Sequence, residues 1–307
     1  MPAPDNDNVR VNDTILLSLS SPPERAHEPP YPTRQVPSLP FGTSDTSVTI
    51  KQRLQACDSH CPEICLGTAK SKDDKDLSFI LKLYIPSKMA SSERFKVRSL
   101  DDSVKMEAEA YEKLAEFQGS TVPYFFGTHS INLSSGVKAY VLAIEHIDPG
   151  TPLAQIKVEI DNGTHSCTSE WLNPELWTSL MKFKPTVWTI ITAHKRGVIH
   201  GNVTEAKNFL WDSIKRLPVL VGWRYVVDSD ADGVSTSDNP NYLKIDELFN
   251  TALTLVKYPK HQDRMLKLIK DDVVIQEWLG KGICERLDAV LSTKMSGKNR
   301  GAPVSCP

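Results

Sequence analysis

Residues 197–210, GVIHGNVTEAKNFL, gather polar groups capable of chemistry inside an apolar stretch. His200 titrates near neutrality and is a candidate acid or base. Asn202 and Asn208 are neutral amides that offer a carbonyl oxygen but cannot take up a proton. Upstream, Lys82 is the lone cation of the apolar run SFILKLY (78–84), and Glu107 lies in VKMEAEAYEKLAEFQ (104–118). Such a pair is either part of a phosphate-facing site or an ordinary surface ion pair. Downstream, Asp228, Asp230 and Asp232 could give oxygens to a hard cation, although an acidic run is more often simply solvated. Cys57, Cys61 and Cys65, with His60 between them, have a C-x3-C-x3-C spacing. A zinc site needs a second pair of ligands. The remaining cysteines, Cys167, Cys284 and Cys306, are far apart, so the spacing reads as reduced thiols in a reducing compartment.

These residues need elements to hold them. VTIKQRL and EICLGTA read as two strands around QACDSHCP, and SFILKLY as a third that carries Lys82. Residues 104–118 are strong helix formers whose apolar members, Val104, Met106, Ala110, Leu114 and Phe117, recur every three or four positions. AYVLAIEHIDPG (139–150) is an apolar strand ending in Glu145-His146-Ile147. TSLMKFKPTVWTIITAHKRG is a long helix with His194 near its end, which Pro185 interrupts or starts. LPVLVGWRY (217–225) gives a strand at Val219–Val221 followed by Gly222, Trp223 and Arg224, with Trp223 most simply a core side chain. KIDELFNTALTLVKY and MLKLIKDDVVIQEWLGKGICERLDAVLSTKM carry amphipathic helix patterns.

With 307 residues, 40% hydrophobic, 24% charged and a formal net charge of -2, the chain has the composition of a globular protein of one or two domains. The near-neutral balance leaves no electrostatic footprint for nucleic acid, and no apolar run approaches a membrane span. MPAPDNDNVR lacks the apolar core of a secretory signal, so a cytoplasmic or nuclear location is expected and the N-x-S/T tripeptides at Asn12, Asn132, Asn162 and Asn202 read as chance matches. Residues 1–45 carry nine prolines in polar sequence and are expected to form a disordered tail, with strand character only in VNDTILLSLS (11–20). The PPYP segment around Pro30 reads as a spacer. Residues 296–307 are likewise expected to be disordered.

In order and spacing, these landmarks resemble the protein-kinase-like fold, in a divergent fungal-type form, over roughly residues 46–295. His200 and Asn208 stand at the ends of the catalytic-loop pattern, Lys82 at the phosphate-gripping lysine, Glu107 at its helix partner, and Ile144-Glu145-His146-Ile147 at the hinge. The resemblance implies an α+β, two-lobed fold with an N-terminal lobe over 46–148 and a shortened C-terminal lobe over 149–295. It implies nucleotide contacts at Lys82, Glu107, Glu145 and Ile147 and a metal ligand at Asn208, and it makes His200 a packing residue of the loop.

Three departures decide the functional expectation. Asn202 stands where the kinase pattern has its proton-accepting Asp, and Gly222 where it has the metal-binding Asp. No glycine occurs in the turn that should cradle phosphates. Only 85 residues (223–307) follow Gly222, with no A-P-E or D-x-W-S-x-G-like stretch to build a peptide platform. The expected protein is therefore a pseudokinase that binds a protein partner and holds nucleotide weakly, with ATP and magnesium as doubtful cofactors. The alternative is a divergent ATP-dependent phosphotransferase acting on a protein or small molecule, with Lys82 on phosphates, Asn208 on metal and an unusual base. The H-G opening of the loop, in place of H-R, resembles small-molecule phosphotransferases of the same superfamily. A third expectation is a decayed paralogue without activity.

Overall fold

The computed structural model describes residues 9–25, 28–39, 41–42, 45–57, 62–88, 99–148, 150–152, 174–204, 206–223, 225–226, 240–257, 267 and 269–298. The chain divides into two compact units, one of residues 1–151 with 209–226 and one of residues 152–208 with 227–307. Residues 209–226 thus group with the first unit.

The first unit is built on a six-stranded antiparallel sheet. Its strands are β1 (Thr14–Leu17), β2 (Thr46–Gln55), β3 (Glu63–Lys70), β4 (Asp76–Tyr84), β5 (Phe125–Asn132) and β6 (Lys138–Glu145), in the order β1-β2-β3-β4-β6-β5. Period-two alternation sends Val48 and Ile50, Cys65, Phe79, Leu81 and Leu83, and Val141 and Ala143 into one core. At Gly67 an added Cβ would meet Leu81 and Val48 side chains at 2.8 Å, so the tight core explains that glycine. The opposite face of β4 presents Ile80, Lys82 and Tyr84, which is how one strand serves both a core and a polar site.

Helix α1 (Leu100–Lys113) begins with a capping box, in which the Ser99 hydroxyl accepts from the Asp102 amide and the Asp102 carboxylate accepts from the Ser99 amide. Val104, Glu107, Ala110 and Tyr111 are its buried residues, at helical spacing. A 3₁₀ turn at Ala115–Phe117 follows, so the expected continuous helix stops at Lys113. Of the expected apolar face, Val104, Ala110, Leu114 and Phe117 are buried and Met106 is half-buried. Strands β9 (Phe209–Asp212) and β10 (Leu217–Leu220) form a hairpin in this unit, and β11 (Tyr225–Val226) follows; β7 (Gly150–Pro152) lies at the unit's edge in sequence.

The proline-rich segment is not a free tail. β1 pairs with β2, and Leu17, Leu19 and Leu39 are buried in the same core as the sheet. Just past β1, the Ser20 amide donates to the Phe126 carbonyl in β5 at 2.8 Å, which ties together the two ends of the sheet order. Prolines forbid helix here but suit an extended strap, and they lower the entropy lost when it is laid down.

The second unit is helical. α2 (Pro174–Lys195) runs through Pro185 without ending, and the Thr189 hydroxyl donates to the Pro185 carbonyl at 2.7 Å. The short strand β8 (Val198–Ile199) leads into the loop sequence, and α3 (Pro240–Lys257), α4 (Val273–Leu279) and α5 (Lys281–Lys298) follow. The last expected helix pattern is broken twice. Asp272 caps α4 through the Val274 and Ile275 amides, and Gly280, at φ +75°, ends it. α5 continues to Lys298, past the start of the expected disordered end; residues 299–307 lie outside the described residues. Among the described residues, no helix is long and apolar enough to cross a membrane.

Candidate functional site

In the first unit, β4 delivers Lys82 and α1 delivers Glu107 to one buried point. The Lys82 ammonium donates to Glu107 Oε1, with the two side chains 10% and 3% exposed. Tyr84, two residues on and therefore on the same face of β4, donates its hydroxyl to Glu107 Oε2. Both carboxylate oxygens thus have donors, as a buried charge requires. Tyr84 was not singled out from the sequence, although its period-two relation to Lys82 carries the signal. The pair is buried, which removes the reading of an ordinary surface ion pair.

One turn beyond Glu107, Tyr111 is fully buried and stacks on Phe125 with ring centroids 5.2 Å apart. Burial first, and the Glu107 charge second, push its phenol well above the ordinary value, while the Gly222 backbone amide faces its oxygen. Gly222 itself has φ +84°, a conformation that side chains resist. Trp223 is fully buried, as expected of a core residue, and its indole N–H donates to the Leu220 carbonyl at 3.1 Å. Gly222 therefore presents backbone, not an oxygen-bearing side chain, beside α1.

Glu145 ends β6, as expected, but its side chain is occupied. Arg34 Nε donates to Oε1 at 2.7 Å and Arg34 Nη2 to Oε2 at 3.0 Å, while the Tyr124 amide donates to Oε2 at 2.9 Å. The Glu145 amide is taken as well, donating to the Tyr124 carbonyl at 2.8 Å. Ile147 is buried, at 4% exposure. Arg34 also donates to Asp212 Oδ2 at 3.2 Å. Neither Arg34 nor Asp212 was foreseen, because the contact joins segments with no shared periodicity.

In the second unit the loop after β8 hangs on Glu247 of α3. Its Oε2 accepts from the His200 amide at 2.9 Å and meets His194 Nε2 at 2.8 Å; its Oε1 accepts from the Gly201 amide at 2.6 Å. Glu247 is 5% exposed and lies between the buried Ile199 strand end and Leu248, an acidic residue on an apolar helix face. That placement was the missed signal in KIDELFNTAL. His200 is fully buried, and its Nδ1 accepts from the Asn202 amide at 3.3 Å. The imidazole thus braces the turn. Asn208 Nδ2 donates to the Asn202 carbonyl at 2.8 Å, so the two asparagines close one loop by side chain and backbone.

The residues at the implied metal positions do not fit magnesium. Gly222 has no side-chain oxygen, and Asn208 brings a neutral amide whose nitrogen already serves the loop. Among the described residues, no group of three or more His, Cys, Asp or Glu could hold a metal ion. Asp228, Asp230 and Asp232, the other candidate ligands, lie outside the described residues, as do Arg224, His60, Cys61, Cys167 and Cys306. Cys65 is buried with its thiol 3.7 Å from Glu63 Oε1, and Cys57 is half-buried. Burial first, then the Glu63 charge and hydrogen bond, push the Cys65 thiol up to about 12.

No family model matches the chain, and no curated protein matches it. Among solved structures, the chain is similar to the PAN3 pseudokinase of Neurospora crassa, with a TM-score of 0.40 and 10% identity over 82% of this chain and 65% of that one. A mutant of the same pseudokinase gives a TM-score of 0.40 and 10% identity over 91% of this chain and 69% of that one. The chain thus spans about two thirds of the length of these solved chains.

Proposed function

We propose that the chain is a protein-kinase-like protein that does not transfer phosphate: a pseudokinase that binds a protein partner and holds nucleotide weakly. The observation that carries this is Gly222. At the position implied for the metal carboxylate the chain has a glycine at φ +84°, which brings no side-chain oxygen. Losing a metal carboxylate removes charge stabilisation of several kcal/mol, on the order of a thousandfold or more in rate. Asn202 adds a second loss, since an amide cannot accept the substrate proton, and a positioned base contributes about 10²–10⁴. Against these losses, the Lys82–Glu107–Tyr84 cluster and the Glu247 anchor of the loop are fully bonded. Chemistry is stripped while the frame stays built, which suits a binding role better than decay.

The phosphotransferase alternative draws on the same Lys82–Glu107 pair and needs a carboxylate from 228–232 to reach the metal. A phosphate-release assay on the purified chain with ATP and magnesium separates the two. The proposal expects no turnover above the Lys82→Met variant. Robust turnover abolished by Lys82→Met replaces it with the phosphotransferase, and Asp228→Asn and Asp230→Asn then locate the ligand.

A further inference from the structure

We propose that residues 10–25 and 28–39 form a releasable clasp, and that Arg34 is its latch, setting the end of β6 and the β9–β10 hairpin from within the chain. The clasp stands whether or not the chain binds nucleotide. A guanidinium has five N–H donors, and Arg34 spends all five on three separate segments of the first unit. Nε and one Nη2 hydrogen go to the Glu145 carboxylate at 2.7 and 3.0 Å. Nη1 reaches Asp212 Oδ2 at 3.2 Å and the Ser120 carbonyl at 2.8 Å, and Nη2 also reaches the Val122 carbonyl at 3.2 Å. The backbone of Arg34 is held as well: its amide donates to the Gly119 carbonyl at 2.6 Å, and its carbonyl accepts from the Tyr124 hydroxyl at 2.7 Å.

The charge pattern makes this a latch rather than one more packing contact. Glu145 and Asp212 are 10% and 4% exposed, and Arg34, at 13%, is the cation bonded to both. Asp212 Oδ1 is committed to the Ile214 and Lys215 amides at the hairpin turn, so Oδ2 is the oxygen left for the strap. Remove the guanidinium and two carboxylates remain together with little solvent. The cost of that arrangement favours opening. Only a planar fork can serve two carboxylates and two carbonyls at once; an ammonium cannot. The rest of the strap has its own hold, through Leu19 and Leu39 in the core and the Lys72 amide on the Ser38 carbonyl at 3.0 Å. Leu19 and Leu39 flank Arg34 in the chain, and Arg25 Nη2 donates to the Gln118 carbonyl at 2.5 Å, so release at Arg34 loosens the stretch around it while both flanks stay docked.

Amide hydrogen exchange of the full chain tests this. Arg34→Lys keeps the charge and is the primary variant; Arg34→Ala is the stronger one. Both are expected to speed exchange roughly a hundredfold in residues 119–124, 143–146 and 210–213, with β2 and β3 unchanged. A triple variant, Arg34→Met with Glu145→Gln and Asp212→Asn, removes the stranded charges. It is expected to regain the melting temperature lost in Arg34→Ala while keeping the fast exchange. Acceleration confined to residues 28–39, or none, overturns the clasp. So does global unfolding of Arg34→Lys, which makes the segment core rather than latch. A triple variant as unstable as Arg34→Ala also overturns it, because the two carboxylates would not be the cause.

Discussion

Glu247→Ala is expected to be among the costliest single substitutions in the second unit. The carboxylate accepts from two backbone amides, at 2.6 and 2.9 Å, and meets His194 at 2.8 Å, in a site 5% exposed. Truncation leaves the buried His200 amide and His194 ring without this acceptor, and the Gly201 amide, at an exposed residue, without it too. Each orphaned group costs about 1–3 kcal/mol, and breaking a buried pair from one side costs about 3–5 kcal/mol, so ~3–5 kcal/mol is the central expectation. At ~2–4 °C per kcal/mol for a unit of this size, the melting temperature of the second unit falls by ~6–20 °C. Glu247→Gln keeps one carbonyl oxygen and loses roughly half as much. Denaturant unfolding of the full chain for Glu247→Ala, His194→Ala and the double variant measures the coupling, expected at ~1–3 kcal/mol for residues in direct contact. A Glu247→Ala cost under ~1 kcal/mol, or additivity of the two substitutions, refutes the view that this carboxylate holds the loop.

Three further outcomes follow from local geometry. Gly222→Asp, the obvious attempt to restore a metal ligand, is expected to destabilise by ~1–3 kcal/mol in chemical denaturation, and Gly222→Ala by a similar amount, because both force a side chain to φ +84°; stabilisation of Gly222→Asp by magnesium contradicts this. Cys65, with its thiol pushed up to about 12, is expected to resist alkylation at pH 8 in the native chain while the half-buried Cys57 reacts, read by peptide mass spectrometry. Asp272→Ala is expected to cost about 0.5–2 kcal/mol at neutral pH through the lost α4 cap. Burial raises the Asp272 carboxyl, but the Lys184 hydrogen bond and charge and the Ile275 and Val274 amides outweigh it, and the net direction is down. A carboxyl lowered in the folded state stabilises above its unfolded pKa and loses that contribution as pH falls through the folded one. The gap between wild type and Asp272→Ala in a pH series of denaturation curves should therefore close only in strong acid.

What the sequence showed clearly was the period-two and helical patterning. Patterning placed Lys82 on a strand and Glu107 on a helix; setting them opposite one another came from the resemblance, and they meet. Residues 197–210 stood out for their polar groups, but not for what holds them. Glu247 looks like a surface residue until its neighbours Leu248 and Phe249 are seen to be buried with it. The proline-rich segment misled for a related reason. Leu17 and Leu19 lie in the stretch read as strand-like, but Leu39 stands alone among prolines, so its burial depends on a surface supplied by distant strands. Proline counted against regular structure, yet it is compatible with an extended strap. Arg34 was illegible altogether, since an isolated arginine gives no hint of two carboxylates far along the chain. Pro185 reads as a break or a start of the helix, but α2 begins at Pro174 and runs through it, with the Thr189 hydroxyl on the Pro185 carbonyl.

Under the proposed function, nucleotide binds without a magnesium-dependent phosphate site. Calorimetric titration of the full chain with ATP, in excess magnesium and again in a chelator, tests it most directly. Weak binding is expected, with dissociation constants that differ by less than about threefold between the two conditions and weaken further in Lys82→Ala. Binding tightened about tenfold or more by magnesium, a gain of about 1.4 kcal/mol, contradicts it.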